Sequence, residues 1–92
     1  MKFSPLVRTP SVLDRPIIVG STAAAFPLAT DLKPGVIGVV VNLVLRHIVG
    51  VMTVVVHDDG QNRWEFVDRS SLPRPLQHSI EGRTDRFLRS RA

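Results

Sequence analysis

Cysteine is absent from this chain of 92 residues, so neither a disulfide framework nor a thiolate metal site is available. Tyrosine is absent and only 5% of the residues are aromatic, which argues against an aromatic platform for stacking nucleic-acid bases. Phosphate-binding loops, dinucleotide-binding glycine patterns and Gly-x-Ser-x-Gly elbows are also missing. These absences predict a protein without enzyme activity, without a cofactor and without a nucleic-acid partner.

The charged residues that are present are unevenly distributed. Residues 1–16 form a basic arm that three prolines predict to be extended. Residues 36–56 carry a single charge, Arg46, among fifteen Val, Ile, Leu and Met residues. Residues 57–92 are rich in both arginine and acidic residues. Segregation of this kind is typical of membrane insertion and is unusual in a small water-soluble domain.

Residues 17–56 are therefore predicted to form a membrane region. It consists of a short apolar segment at 17–30 and a transmembrane helix at 36–56, separated by a turn at Pro34-Gly35. A helix of 21 residues is about 31 Å long, which matches the hydrocarbon core of a bilayer. The predicted fold class is a mainly α small membrane protein with one long transmembrane helix, or a helical hairpin if 17–30 also inserts.

One side of that predicted helix collects small and polar residues. At 100° per residue they share a third of the circumference, and they are Gly38, Asn42, Arg46, Gly50 and Thr53. Small residues let membrane helices approach closely, and an arginine in lipid needs a protein or acidic neighbour. The pattern predicts a face that packs against a partner helix.

Residues 57–92 are predicted to be a polar cytoplasmic tail ending in a basic amphipathic helix. Apolar residues recur there at helical spacing from Leu76 to Leu88. Four arginines mostly avoid that stripe and are predicted to contact the membrane surface or a partner: Arg83, Arg86, Arg89 and Arg91. The histidines have too few neighbouring ligands for a metal site, so no metal is expected.

Four short motifs carry a resemblance to a known family. They are Arg15-Pro16 followed by Gly20, the stretch Ala24-Ala25-Phe26-Pro27-Leu28, the apolar run Val36–Val56, and the pair Asp58-Asp59. In this pattern the chain resembles the small inner-membrane subunits of bacterial type IV secretion and conjugation machines. The resemblance implies a non-enzymatic structural subunit of the inner (cytoplasmic) membrane, in contact with other membrane subunits and with the lipid bilayer. No catalytic residue carries over from it.

The valine content supports a different interpretation. Ten of the 21 residues in 36–56 are valine, which favours strands. Strands at Val36–Leu45, Val51–Val56 and Trp64–Val67, with Asp59-Gly60 in a hairpin turn, would form a small soluble β-rich domain that binds an acidic or nucleic-acid partner. A third alternative is a holin-like or toxin-like small membrane protein.

Overall fold

The computed structural model describes residues 15–91, so the predicted arm lies outside the described residues except for Arg15 and Pro16. Four strands and one helix form the fold: β1 (Ile17–Gly20), β2 (Ile37–Asn42), β3 (His47–Val56), β4 (Asn62–Val67) and α1 (Arg74–Arg89). The strands make one sheet in the order β1-β2-β3-β4. β1 pairs with β2 in parallel, and the other two pairs are antiparallel.

The transmembrane helix predicted for residues 36–56 is wrong, and with it the mainly α fold class. The segment forms β2 and β3, which fold back on each other with Val39 opposite Val51. Among residues 15–91, no helix combines the length and the apolar character that crossing a membrane requires. The physical reason is the density of β-branched side chains, which lose rotamer freedom in a helix and pack well on a pleated surface.

The alternative interpretation placed three of the strands close to their observed positions. β2, β3 and β4 overlap the expected segments, and the hairpin between β3 and β4 turns at Asp58, Asp59 and Gly60. Gly60 has a φ of +81°, a conformation that a glycine adopts at little steric cost. The first strand comes from the segment 17–30 and was not expected.

One face of the sheet is covered by α1, which follows Pro73 and has Pro75 in its first turn, where no N–H is needed. Alternate residues of β2 point toward this helix, and Ile37, Val39 and Val41 are at most 1% exposed. They pack with Val51 and with the helix residues Leu76, Ile80 and Leu88. The C-terminal helix is present where the sequence predicts one, but its apolar stripe is buried against the protein's own sheet.

The opposite face is covered at one end only. The β1–β2 connection crosses it there, and Ala29 and Leu32 pack with Val54 and Trp64. The indole Nε1 of Trp64 donates to the carbonyl of Pro27 at 3.1 Å, which fixes the connection to the sheet. At the other end of this face Phe66 is 72% exposed.

Candidate binding surface

The turn between β2 and β3 is stabilised by hydrogen bonds that its first residue, Asn42, accepts. The side-chain Oδ1 of Asn42 accepts from the backbone N–H groups of Val44 and Leu45 at 2.9 and 2.8 Å. The carbonyl of Asn42 accepts from the N–H of Arg46 at 2.7 Å. An asparagine that bonds the backbone two and three residues ahead favours a turn. We refer to residues 43–46 as the apex.

Arg46 fastens the apex to the end of the helix. Its φ is 58°, in the left-handed region that few non-glycine residues occupy. Its guanidinium Nη2 donates to the carbonyl of Leu88 at 2.6 Å. The last carbonyls of a helix have no partner within the helix and carry partial negative charge, so a cation is stabilising there. The bond therefore fixes the position of the apex relative to α1.

The apex displays three consecutive aliphatic side chains to solvent. Val44 is 89% exposed, Leu45 65% and Leu43 39%. Isolated apolar residues on a surface are ordinary, but a contiguous group at a protruding, hydrogen-bonded turn is typical of an interaction site. The fold gains little from these three side chains, whereas a partner could bury them.

Arginines cluster at the end of α1 to which Arg46 fastens the apex. The last two turns of α1 carry Arg86 and Arg89, and Arg91 follows the helix. Arg89 pairs with Asp85 at 2.8 Å, and Arg91 lies 4.3 Å from the ring centre of Phe87. Among the described residues, Arg46 and these three arginines outnumber the nearby carboxylates Glu81 and Asp85, so the charge at this end is positive.

The predicted partner-packing residues do not share one face, because the helix that aligned them is absent. Gly38 and Gly50 lie in β2 and β3 on the face away from α1, and Thr53 lies on the face toward it. The Thr53 hydroxyl donates to the carbonyl of Val36 at 3.2 Å. Only Asn42 and Arg46 come together, and they do so as the two ends of the turn.

The four predicted contact arginines also separate. Arg86, Arg89 and Arg91 lie at the end of α1 that Arg46 contacts through the Leu88 carbonyl. Arg83 instead donates from Nη2 to the carbonyl of Ile17 at 3.1 Å, so it serves the edge of β1.

A groove of about 460 Å³ lies between α1 and the start of β3. Arg46, Arg69, Glu81 and Asp85 line it, and the buried Thr84 hydroxyl has no hydrogen-bond partner among the described residues. Two arginines face two carboxylates there, so the lining selects neither anions nor cations. The groove has no charge preference that would define a ligand class.

The β3–β4 turn carries a second charged groove, whose groups already pair with one another. His57 Nε2 lies 2.5 Å from Glu65 Oε2, and Arg63 pairs with Asp59. A hydrogen bond from the N–H of Gln61 lowers the pKa of the Asp59 carboxyl, and the Arg63 charge lowers it further. Within residues 15–91 no group of three or more His, Asp or Glu residues is placed to hold a metal ion.

Comparison with protein-family models, with curated protein sequences and with solved structures finds no match for this chain. The resemblance to secretion subunits is not tested by these comparisons and stays a prediction.

Sequence reasoning missed Leu43, Val44 and Leu45 as candidate site residues, because a transmembrane helix would bury them in lipid. A signal was present in the sequence: Asn42 precedes three aliphatic residues and a polar pair, Arg46-His47, which marks a break between two valine-rich runs.

Proposed function

We propose that the domain is a non-enzymatic binding module that docks on an acidic protein through its apex. The observation that supports this proposal is the rigid display of Leu43, Val44 and Leu45 beside positively charged helix residues. The apolar side chains provide the buried centre of a contact, and the arginines provide its polar rim.

Arginine without lysine at this end favours carboxylates as the partner's charged groups. A guanidinium presents a planar fork of donors that matches a carboxylate in two parallel hydrogen bonds, which an ammonium cannot do. The apex contains no aromatic side chain, whereas surfaces that dock on lipid headgroups or unpaired bases commonly use Trp, Tyr or Phe. Guanidinium groups pair with phosphate as well as with carboxylate, so it is the lack of an aromatic side chain that favours a protein partner over a lipid or nucleic-acid one.

The proposal is tested by site-specific photo-cross-linking in the cells that produce the protein. A photoreactive amino acid is placed at position 44 in the apex or, as a matched control, at position 33. Lys33 is also exposed, but it lies in the turn beside Val54, at the other end of the β2–β3 pair. We expect a single protein adduct from position 44 and none from position 33.

Charge reversal then tests the acidic character of the partner. In a chain that carries the photoreactive group at position 44, Arg86→Glu combined with Arg91→Glu should abolish the adduct, and mass spectrometry should place the cross-link in an acidic segment. Equal adducts from both positions, an adduct that survives charge reversal, or adducts only to lipid or nucleic acid would overturn the proposal.

A further inference from the structure

The two edges of the sheet, β1 and β4, differ in the hydrogen bonds that their outer backbone groups make. On the β1 edge, the side chain of Arg83 donates to the carbonyl of Ile17 at 3.1 Å. β4 pairs with β3 alone, and no residue within 15–91 hydrogen-bonds to its outer backbone groups. An unprotected edge strand presents a row of donors and acceptors that another strand can pair with. Within residues 15–91, the β4 edge is therefore the one that can accept a further strand.

Hydrogen bonds on β3 show which β4 groups point outward. The N–H of Val54 donates to the carbonyl of Val36, and the carbonyl of Val54 accepts from the N–H of Gly35, both at 3.0 Å. Both backbone groups of Val54 are thus used on the β2 side, so its β4 neighbour Trp64 makes no ladder bonds to β3. The N–H and carbonyl of Trp64 point away from the sheet.

Backbone groups along an antiparallel strand point alternately toward the neighbouring strand and away from it. The N–H and carbonyl groups of Asn62 and Phe66, two positions from Trp64, therefore also point away from the sheet. The outward groups are therefore symmetric about Trp64. A second β4 running antiparallel, with Trp64 opposite Trp64 of the second copy, would pair Asn62 with Phe66 and Phe66 with Asn62. All the outward backbone groups find partners in this register, which is the arrangement that a two-fold axis requires.

In the same register, each charged residue of β4 faces a residue of opposite charge in the second copy. Arg63 of each copy lies opposite Glu65 of the other, so the pair occurs twice. Both side chains stay accessible while they pair within the chain with Asp59 and His57: that of Arg63 is 52% exposed and that of Glu65 is 47% exposed. Opposite charges directly across an antiparallel pair stabilise it, and like charges destabilise it.

Exposed apolar surface at this edge is also covered by the pairing. The ring of Phe66 lies over Gly50, where a Cβ atom would stand 3.0 Å from it, and is 72% exposed. Across the two-fold axis Phe66 becomes a diagonal neighbour of Trp64 of the second copy, within reach of an aromatic side chain.

We propose that the protein forms a homodimer through antiparallel β4–β4 pairing centred on Trp64, which joins two four-stranded sheets into one of eight strands. This proposal uses an edge of the sheet and not the apex, so it stands independently of the proposed function.

Sedimentation velocity of the full chain tests the dimer by exchanging charges. Arg63→Glu places two acidic residues opposite two in a homodimer, and Glu65→Arg places basic opposite basic. Each single variant should be monomeric at concentrations where the unchanged protein is dimeric, with the dimer weakened about tenfold or more. A one-to-one mixture of the two variants should dimerise, because every cross-strand pair in the heterodimer is complementary.

The mixture separates loss of pairing from loss of folding, since unfolded variants would not assemble with each other. Arg69→Glu, which reverses an exposed arginine after the end of β4, is the control and should leave the dimer intact. A monomeric unchanged protein, single variants that stay dimeric, or variants that do not assemble when mixed would each overturn the proposal.

Discussion

The helix-covered face of the sheet and the apex are both built from aliphatic residues, but these residues have opposite roles. Under α1, the β2 residues Ile37, Val39 and Val41 are at most 1% exposed and hold the fold together. At the apex, Val44 and Leu45 are mostly exposed although polar groups hold the turn in place. The difference shows that stability is concentrated at one interface, which leaves the apex available for binding.

Truncation of a core residue should give the largest effect. Ile80 is fully buried among the residues that join α1 to the sheet, so Ile80→Ala should lower the free energy of unfolding by about 2–5 kcal/mol. Val44→Ala at the apex should change it by less than about 0.5 kcal/mol, because that side chain is 89% exposed. Urea denaturation of both variants measures the contrast, and similar losses from the two would contradict it.

Replacing glycine by alanine should cost more stability at the covered end of the sheet face away from α1 than at its open end. A Cβ on Gly38 would lie 3.0 Å from the Trp64 ring and 3.2 Å from Phe26, whose rings meet edge-on with centroids 5.6 Å apart. Gly38→Ala should therefore cost about 1–3 kcal/mol. A Cβ on Gly50 meets only Phe66, which can rotate into solvent, so Gly50→Ala should be nearly neutral. Thermal unfolding of the two variants tests this, and a larger cost at Gly50 would show that Phe66 is not free to move.

Two substitutions of Arg46 should distinguish the stability that its side chain contributes from the cost of its backbone conformation. Arg46→Ala removes the bond to Leu88 and keeps a Cβ at a φ of 58°, so it should destabilise the protein by about 1–2 kcal/mol. Arg46→Gly loses the same bond but relieves the backbone, so it should be the more stable variant by about 1 kcal/mol. Chemical denaturation of the pair tests the assignment. The reverse order would mean that the left-handed conformation is not maintained.

The smallest effect should come from Asp68, whose carboxylate caps the short 3-10 helix Arg69–Ser71. The Ser70 hydroxyl, and then its N–H, hydrogen-bond to Asp68 and lower the pKa of that carboxyl from 3.8. A lowered folded-state pKa stabilises the fold above pH 3.8, and this contribution is lost as the pH falls through the folded value. Asp68→Asn should therefore be slightly less stable than the unchanged protein at pH 7, and this difference should shrink at pH 3.

Urea midpoints at the two pH values check this behaviour. Asp58→Asn, which removes an exposed carboxylate from the β3–β4 turn, is the control for the loss of one negative charge. A constant difference for Asp68→Asn across the pH range would contradict the capping role.

Part of the fold could be predicted from local patterns. The density of valine favours strands, and the Asp59-Gly60 turn and the C-terminal helix follow from familiar signals. The transmembrane prediction was wrong because Asn42, Arg46 and Gly50 also fit a helical period. In a hairpin the same residues are the two ends of a turn and a position in the returning strand.

The candidate binding surface could not be predicted in the same way. The turn at residues 43–46 contains neither glycine nor proline, and its left-handed position is filled by Arg46. That arginine is stabilised by Leu88, 42 residues later in the chain, through a contact that no local pattern contains. The short strand β1 was missed for a similar reason, since its partner β2 lies beyond a long connection.

The reversal of the chain between Val36 and Val56 underlies both the exposed apex and the open β4 edge. Nuclear Overhauser contacts in the full-length protein test it most directly. We expect backbone contacts between Val39 and Val51 and between Ile37 and Thr53, because the strand register places the members of each pair opposite each other. Medium-range contacts of an uninterrupted helix through Val36–Val56, with no cross-strand contacts, would contradict it.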